Sequence, residues 1–526
     1  MSAHMAAALR IDTQSGKGRA MMTALKLSWA LFLGLTLIMI GNGLGGSLVG
    51  VRTQVEDFGN TLTGLVMAGY FLGFFIGSII VPKMMARVGH VRVFGALTAL
   101  ASLTILIYPL FIDPYVWTAM RVLTGVSYAG LYIVVESWLN EKATNDTRGQ
   151  MLAIYLVVSS LGVAGGQLLL NLYDPANFEL FTVVSVLISL AAVPVLVSAA
   201  RAPDFEAPES LGPLRLYKVS PLGTIGMVLV GMTAGILIGM GPAYGFKMYG
   251  TEFASLFMTA IFVGGFLFTW PIGKLSDIFD RRTVIVCVVA ACVGVGIFGL
   301  FFQDPAALNQ LQTYQRFYSF DGSSILNDAN ILLLVALVFG GMALPLYSLC
   351  IAHTNDHLTT KQMVAASSTL IMANGLGAMV GPSIAGLAMD LVGTPGYFWA
   401  LIAVNVIFVI FGLYRMSRRP AIAAEEQGSF VAVDSRMTVV ATTALNPEVE
   451  WPETEQDADL IDGDAPPPDA VQPEGTPEAD ASETWDDLPE VTPDETGASD
   501  DEAAAPEATA DPDSDDGKGR DRSGGA

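Results

Sequence analysis

The sequence predicts an all-α polytopic membrane protein with twelve transmembrane helices in two pseudo-symmetric six-helix bundles. Three observations predict it. The 526 residues are 52% hydrophobic and 15% charged, against about 25% charged in a soluble domain, so most of the surface faces something other than water. Apolar runs close to the ~20 residues that cross a bilayer recur about every 30 residues. Lysines and arginines fall on alternate loops, as the retention of positive charge on the cytoplasmic side requires.

The first run, 27–50, follows a basic leader, residues 1–26, with Arg10, Lys17, Arg19 and Lys26. It is longer than the apolar core of a signal peptide and ends in glycines with no clear cleavage site, so it reads as a first membrane helix. Runs 61–81, 93–112, 115–139, 151–172 and 178–200 complete an amino-terminal bundle over 27–200. A polar cytoplasmic linker, 201–219, with Pro203, Pro208 and Pro213 as breakers, divides the runs six from six. Runs 221–244, 253–273, 283–302, 329–352, 364–387 and 397–416 form the carboxy-terminal bundle over 220–419. Two six-helix halves suggest an internal repeat. With the amino terminus inside, 19 Lys/Arg lie in inside loops and flanks and 3 (Arg52, Lys247, Arg316) lie outside. That bias expects both termini in the cytoplasm.

The net charge of -23 belongs to the end of the chain. From Ala421 onward there are 30 acidic and 4 basic residues; of the totals of 50 and 27, this leaves 20 and 23 and a body at about +3. Residues 420–526, rich in Asp, Glu, Pro, Ala, Thr and Ser, read as a disordered acidic cytoplasmic tail, since such a segment buries too little apolar surface to fold. Cys287, Cys292 and Cys350 sit in apolar stretches and offer neither a disulfide framework nor metal-ligand spacing.

Ionisable groups inside membrane helices are costly and are therefore functional candidates. Arg121, Gly125, Tyr128, Tyr132 and Glu136 follow one another at intervals of four, three, four and four residues, on one face of the fourth helix. Arg121 and Glu136 are ~22 Å apart along the axis at about 1.5 Å per residue, so they act at different depths. Arg121 needs a carboxylate, a carbonyl dipole or a substrate anion; a structural arginine that pins helix ends is the alternative. Glu136 is a candidate for the protonatable group that couples solute to a proton gradient; a snorkelling or gate-pairing carboxylate is the alternative.

A cytoplasmic gate is expected at the inner ends of both halves. Asn140-Glu141 with Arg148 follows Tyr132 as Asn355-Asp356 with Lys361 follows Tyr347, which pairs helices four and ten as repeat partners. The loop after helix two contributes Arg87, Gly89 and Arg92, and the loop after helix eight contributes Gly273, Asp277, Arg281 and Arg282. Salt bridges among these groups would form when the cavity opens outward and break when it opens inward. Loop charges with no gating role are the plain alternative. Asn42, Tyr155, Gln167, Asn171, Asn374 and Asn405 are candidate solute contacts or interhelical hydrogen bonds, and His353 can titrate near neutral pH.

Gly273-x-Leu275-x-Asp277-x-x-x-Arg281-Arg282 resembles the loop signature of the major facilitator superfamily, and Arg121-x-x-x-Gly125 resembles its fourth-helix signature. With Val88-Gly89-His90-Val91-Arg92, Glu136-Ser137-Trp138-Leu139-Asn140 and 345–356, the chain is similar to the uncharacterised YcaD-type branch of bacterial transporters over about 27–419. The first loop departs from the signature, with Pro82 for its glycine and Ala86 for its aspartate. Helix five, with Gly162, Gly165 and Gly166, lacks the exchanger proline.

The resemblance implies a secondary transporter working by alternating access in the bacterial inner membrane. Its expected partners are a small solute, protons and the lipid bilayer; no nucleic acid, cofactor or metal is expected, and the chain is expected to be a monomer. It implies no enzyme. Symport, antiport and uniport stay open, and a membrane sensor or scaffold signalling through the acidic tail is the competing reading. Gly41-x-Gly43-x-x-Gly46 matches a dinucleotide fingerprint in letters only, because no strand precedes it.

Overall fold

The computed structural model describes residues 3–141, 143, 147–197, 212–303, 328–358, 360–418, 427–428, 430–434 and 436–438, with backbone alone for 3–27, 360–361 and 364–365. Among them there is no strand. In hydrocarbon every backbone N–H and C=O needs an internal partner, and the helix supplies one within each segment. The amino-terminal six are α1 (Ala3–Val55), α2 (Asn60–Val88), α3 (His90–Ile107), α4 (Pro114–Glu141), α5 (Arg148–Leu168) and α6 (Glu179–Val197). After a short α7 (Pro213–Val219) come α8 (Pro221–Ala234), α9 (Gly241–Ile278), α10 (Arg281–Leu300), α11 (Asp328–Ala343), α12 (Leu346–Asn355), α13 (Thr360–Val392) and α14 (Gly396–Arg418).

Three predicted boundaries differ from the structure, each for a backbone reason. Predicted run seven contains a π turn at Gly235–Met240 and continues by hydrogen bonding into run eight within α9; the two divide where Tyr249 leaves helical geometry and Gly250 takes a φ of 83°. Run ten breaks between α11 and α12, next to Pro345, whose ring and missing N–H cannot continue a helix. Pro213, read as a breaker, instead opens α7 at the first helical position, where its missing N–H costs nothing.

The helix partners repeat between halves. In the first, α2 packs on α4, α1 on α5 and α6, and α3 on α6; in the second, α9 packs on α11, α8 on α13 and α14, and α10 on α14. Glycine seams allow the closest approaches. A Cβ on Gly125 would lie 2.1 Å from the Tyr70 carbonyl oxygen, and one on Gly377 would lie 1.9 Å from that of Val228. The Arg-x-x-x-Gly spacing therefore has a packing reason in its glycine. Within the first half, 83% of α4's central window is buried against 39% for α6. The face with Arg121 and Glu136 is enclosed by the fold.

The two halves are tied together at the end away from α7. There Asp390 of α13 accepts from the backbone N–H of Asn60 at 3.2 Å and of Thr61 at 2.9 Å, capping α2. Negative charge at a helix amino terminus is stabilised by the peptide dipoles and the free N–H groups. The Lys247 ammonium donates to Asn60 Oδ1 at 2.7 Å, and Ser255 on α9 donates to the Gln167 carbonyl at 2.8 Å. Arg52 is held by Glu56 and by the Pro175 carbonyl at 2.8 Å. Two of the three cations that run against the charge bias thus serve as structural ties; Arg316 lies outside the described residues.

Candidate functional site

Between the halves, α1, α2, α4, α5, α8, α9 and α13 enclose a cavity of about 100 Å³, lined by Asn42, Tyr70, Phe74, Arg121, Gln167, Phe262 and Asn374 among others. The predicted polar groups of the first half converge on it or just beside it. Asn42 donates to Tyr132 Oη at 2.7 Å and to Tyr70 Oη at 3.4 Å. The Arg121 guanidinium lies 5.2 Å from the centre of the Tyr70 ring, and its Nη2 is 3.4 Å from Met67 Sδ. Arg121 is 5% exposed, its Nε has no acceptor, and no carboxylate among the described residues lies within ion-pair distance. A buried cation held by a ring face and a thioether keeps most of its donor capacity for a ligand. Asn374 Oδ1, in the same cavity, is likewise unpartnered.

Tyr70 was not singled out from the sequence, because a tyrosine on an apolar helix reads as core. Tyr128 packs its ring between Tyr70 and Tyr132. Gln167 accepts from Ser47 through its side chain and from Ser255 through its carbonyl. Asn171 donates to Ser255 Oγ at 3.1 Å, also across the halves. Asn405 ties α14 to α8 through Thr233 Oγ1 at 3.3 Å, the interhelical alternative. His353 is buried beside His357.

Glu136 lies deeper toward the α7 end and is fully buried. It accepts from Tyr155 Oη at 2.7 Å, so two residues named separately from the sequence form one pair between α4 and α5. Its other oxygen faces the backbone of Thr438, 3.1 Å away, and it accepts from the Thr438 hydroxyl as well. The described residues 427–428, 430–434 and 436–438 thus pack against the helices, where an unfolded tail is expected. Their N–H groups reach Asp356 from Gly428 at 3.2 Å, Asp277 from Phe430 at 2.8 Å and Ser348 from Val433 at 2.9 Å. Residues 439–526 lie outside the described ones.

Of the charges expected at a gate, Asp277, Arg281 and Asp356 of the carboxy-terminal half lie together. Arg281, 1% exposed, donates to Asp356 at 2.6 Å and lies 3.5 Å from Asp277. Burial raises the Asp356 carboxyl above its ordinary value, with Arg281 opposing the rise. Arg282 reaches Asp280 at 3.4 Å. Gly273 stands where a Cβ would be 2.3 Å from the Phe430 ring, so its role here is to admit that ring. On the other half, Arg148 is buried at the start of α5 and Glu141 is exposed at the end of α4. Arg87 and Arg92 are not brought to these groups: both are exposed and make no ion pair among the described residues. The loop lacks the aspartate that would draw them in. Gly89, with a φ of 82°, serves the turn from α2 to α3. The Lys361 side chain lies outside the described residues.

Comparison with known proteins agrees with this geometry. The sequence profile of the Major Facilitator Superfamily matches residues 31–314 and 252–450. An uncharacterized MFS-type transporter of Yersinia enterocolitica is 25% identical over 386 residues, 72% of this chain and 93% of the relative. The uncharacterized MFS-type transporter YcaD of Escherichia coli is 24% identical over 394 residues, 74% and 96% of the two chains. Among solved structures, the nucleoside transporter NupG superposes with a TM-score of 0.57 at 13% identity, covering 74% of this chain and 98% of that one. A bacterial homolog of the human lysosomal transporter Spinster, inward-facing and occupied, gives 0.56 at 15% identity over 77% and 98%. These relatives are named transporters, which does not favour the sensor or scaffold reading.

Proposed function

The chain belongs to the major facilitator superfamily, and from that premise we propose that it carries a small organic solute across the bacterial inner membrane by alternating access, coupled to protons through Glu136. The observation that carries this reading is the asymmetry of the two ends. At one end α2 and α13 are capped together by Asp390; at the other the halves stand apart enough to admit residues 427–438. With the α7 end cytoplasmic, as the charge bias expects, this is an inward-facing arrangement.

Arg121, with its unfilled donors, supports a solute bearing an anionic or strongly accepting group, while Tyr70, Phe74 and Phe262 offer ring faces to its organic part. Glu136 supports coupling because its carboxylate is fully buried and bonds to Tyr155 of α5. In an outward-facing state the same group would meet the other side. A proton taken up on one face and released on the other then moves with each cycle.

Paired spin labels test the motion. One pair, Asp57→Cys with Leu391→Cys, sits across the capped end; the other, Val88→Cys with Gln362→Cys, spans the same two helices at the opposite end. Alternating access predicts that adding a transported solute or shifting pH lengthens one distance while shortening the other. Two distances that stay fixed or change together would refute it.

A further inference from the structure

We propose that the inner half of the cavity is a binding site for an extended peptide, and that residues 427–438 of the same chain fill it as a tethered competitor of the solute. The competition rests on the transport reading above; the occupancy does not.

Backbone drawn into the protein needs hydrogen-bond partners, and among the described residues there is no sheet edge to supply them. The cavity walls supply them from side chains. Asp356 receives Gly428, Asp277 receives Phe430, Ser348 both receives and donates to Val433, and Glu136 receives Thr438. Arg281 closes the run by donating to the Gly428 carbonyl at 2.7 Å. The contacts to Asp356, Asp277, Ser348 and Arg281 belong to the carboxy-terminal half and that to Glu136 to the amino-terminal half. The segment therefore bridges the two bodies whose relative motion transport requires.

Side chains fit as well as backbone. The Phe430 ring occupies the notch left by Gly273, and Val433 and Met437 are buried. Asp434 and Arg436 pair with each other, so the segment brings no net charge into the cavity. Burial alone would raise the Asp434 carboxyl, but Arg436 outweighs it and holds the group below the ordinary carboxylate range. The Arg436 guanidinium lies 5.4 Å over the Phe262 ring and lines the same cavity as Arg121 and Asn374. It stands on ground the solute would use.

Charge sets this stretch apart from the remainder of the tail. Between Gln427 and Pro447 there is one acidic and one basic residue, whereas the acid-rich composition begins at Glu448. A short tether from α14 holds the segment at an effective concentration on the order of millimolar, so solute must be abundant or tight-binding to displace it. The groups it occupies include Glu136, Asp277, Arg281 and Asp356. While it stays, the inner end cannot close and Glu136 is engaged.

Occupancy is testable without knowing the solute. In a full-length chain with its three native cysteines replaced, Asn374→Cys reports the cavity through its labelling rate with a water-soluble maleimide. Adding Phe430→Asp and Thr438→Pro should speed labelling by ~tenfold or more, the factor that one lost charge-assisted hydrogen bond corresponds to. A synthetic peptide of residues 427–440 at millimolar concentration should slow it again, and a scrambled peptide should not. A second full-length variant, Gly273→Cys with Phe430→Cys, should form a disulfide on mild oxidation. Equal labelling with and without the tail substitutions, no effect of the peptide, or no disulfide would each overturn the proposal. A protein that shows these effects yet moves no solute would keep the occupancy and remove the transport reading.

Discussion

Helices four and ten are the same design with different chemistry. Adding 215 to each position aligns Gly125 with Gly340, Tyr132 with Tyr347, Asn140 with Asn355 and Glu141 with Asp356. The glycines do the same work: a Cβ would lie 2.1 Å from the Tyr70 oxygen at Gly125 and 2.4 Å from the Ile261 oxygen at Gly340. The ionisable groups are not repeated. Arg121 faces Ala336 in the alignment and Glu136 faces Ile351, and α4 runs unbroken where Pro345 divides α11 from α12. Packing is two-fold while charge chemistry is one-sided. The amino-terminal half holds the buried Arg121 and Glu136, and the carboxy-terminal half supplies the break and the Asp277–Arg281–Asp356 cluster.

The glycine equivalence can be broken most severely. Gly125→Val and Gly340→Val should each cost about 3 kcal/mol or more, since the obstacle is backbone that cannot step aside. Thermal melting in detergent should fall by similar amounts for the two. A harmless Gly340→Val would end the claim of a shared seam.

Arg121 tests the one-sidedness. Arg121→Ala should weaken solute binding by about 10- to 100-fold, the 1.5–3 kcal/mol of a charge-assisted hydrogen bond, with Arg121→Lys in between because its ammonium lacks the planar fork. Binding to purified protein, by calorimetry or thermal shift, measures this. Unchanged affinity in Arg121→Ala would return the residue to a structural role.

The smallest effect concerns the cluster on the other half. Because burial raises the Asp356 carboxyl in the folded chain, the fold binds that proton more tightly than the unfolded chain does. Its contribution is present below the unfolded value and is lost as pH rises through the raised one. Melting temperature should therefore fall slightly over that window, and Asp356→Asn should flatten the slope. A slope unchanged by Asp356→Asn would assign it elsewhere.

Hydropathy and charge bias made the helices legible, because a bilayer leaves a chain few alternatives. The Arg121 to Glu136 face was legible from four-residue spacing alone. Some contacts have no local signal. Tyr70 and Met67 are neutral partners for a buried cation, and Asp390 reaches Asn60 across 330 residues of sequence. The stretch 427–438 was hidden by averaging it with the acid-rich sequence beyond; Phe430-Val431-Ala432-Val433 and the Asp434/Arg436 pair are the signal that was available.

The proposed function places proton chemistry in one half, at Glu136. The direct measurement is pH-gradient-driven accumulation in proteoliposomes of a solute first found by thermal-shift screening, compared between the wild-type chain and Glu136→Gln. One proton per solute predicts up to ~tenfold accumulation per pH unit in the wild type. In Glu136→Gln the gradient should drive no accumulation, while solute-for-solute exchange continues. Accumulation that survives intact in Glu136→Gln would contradict the account.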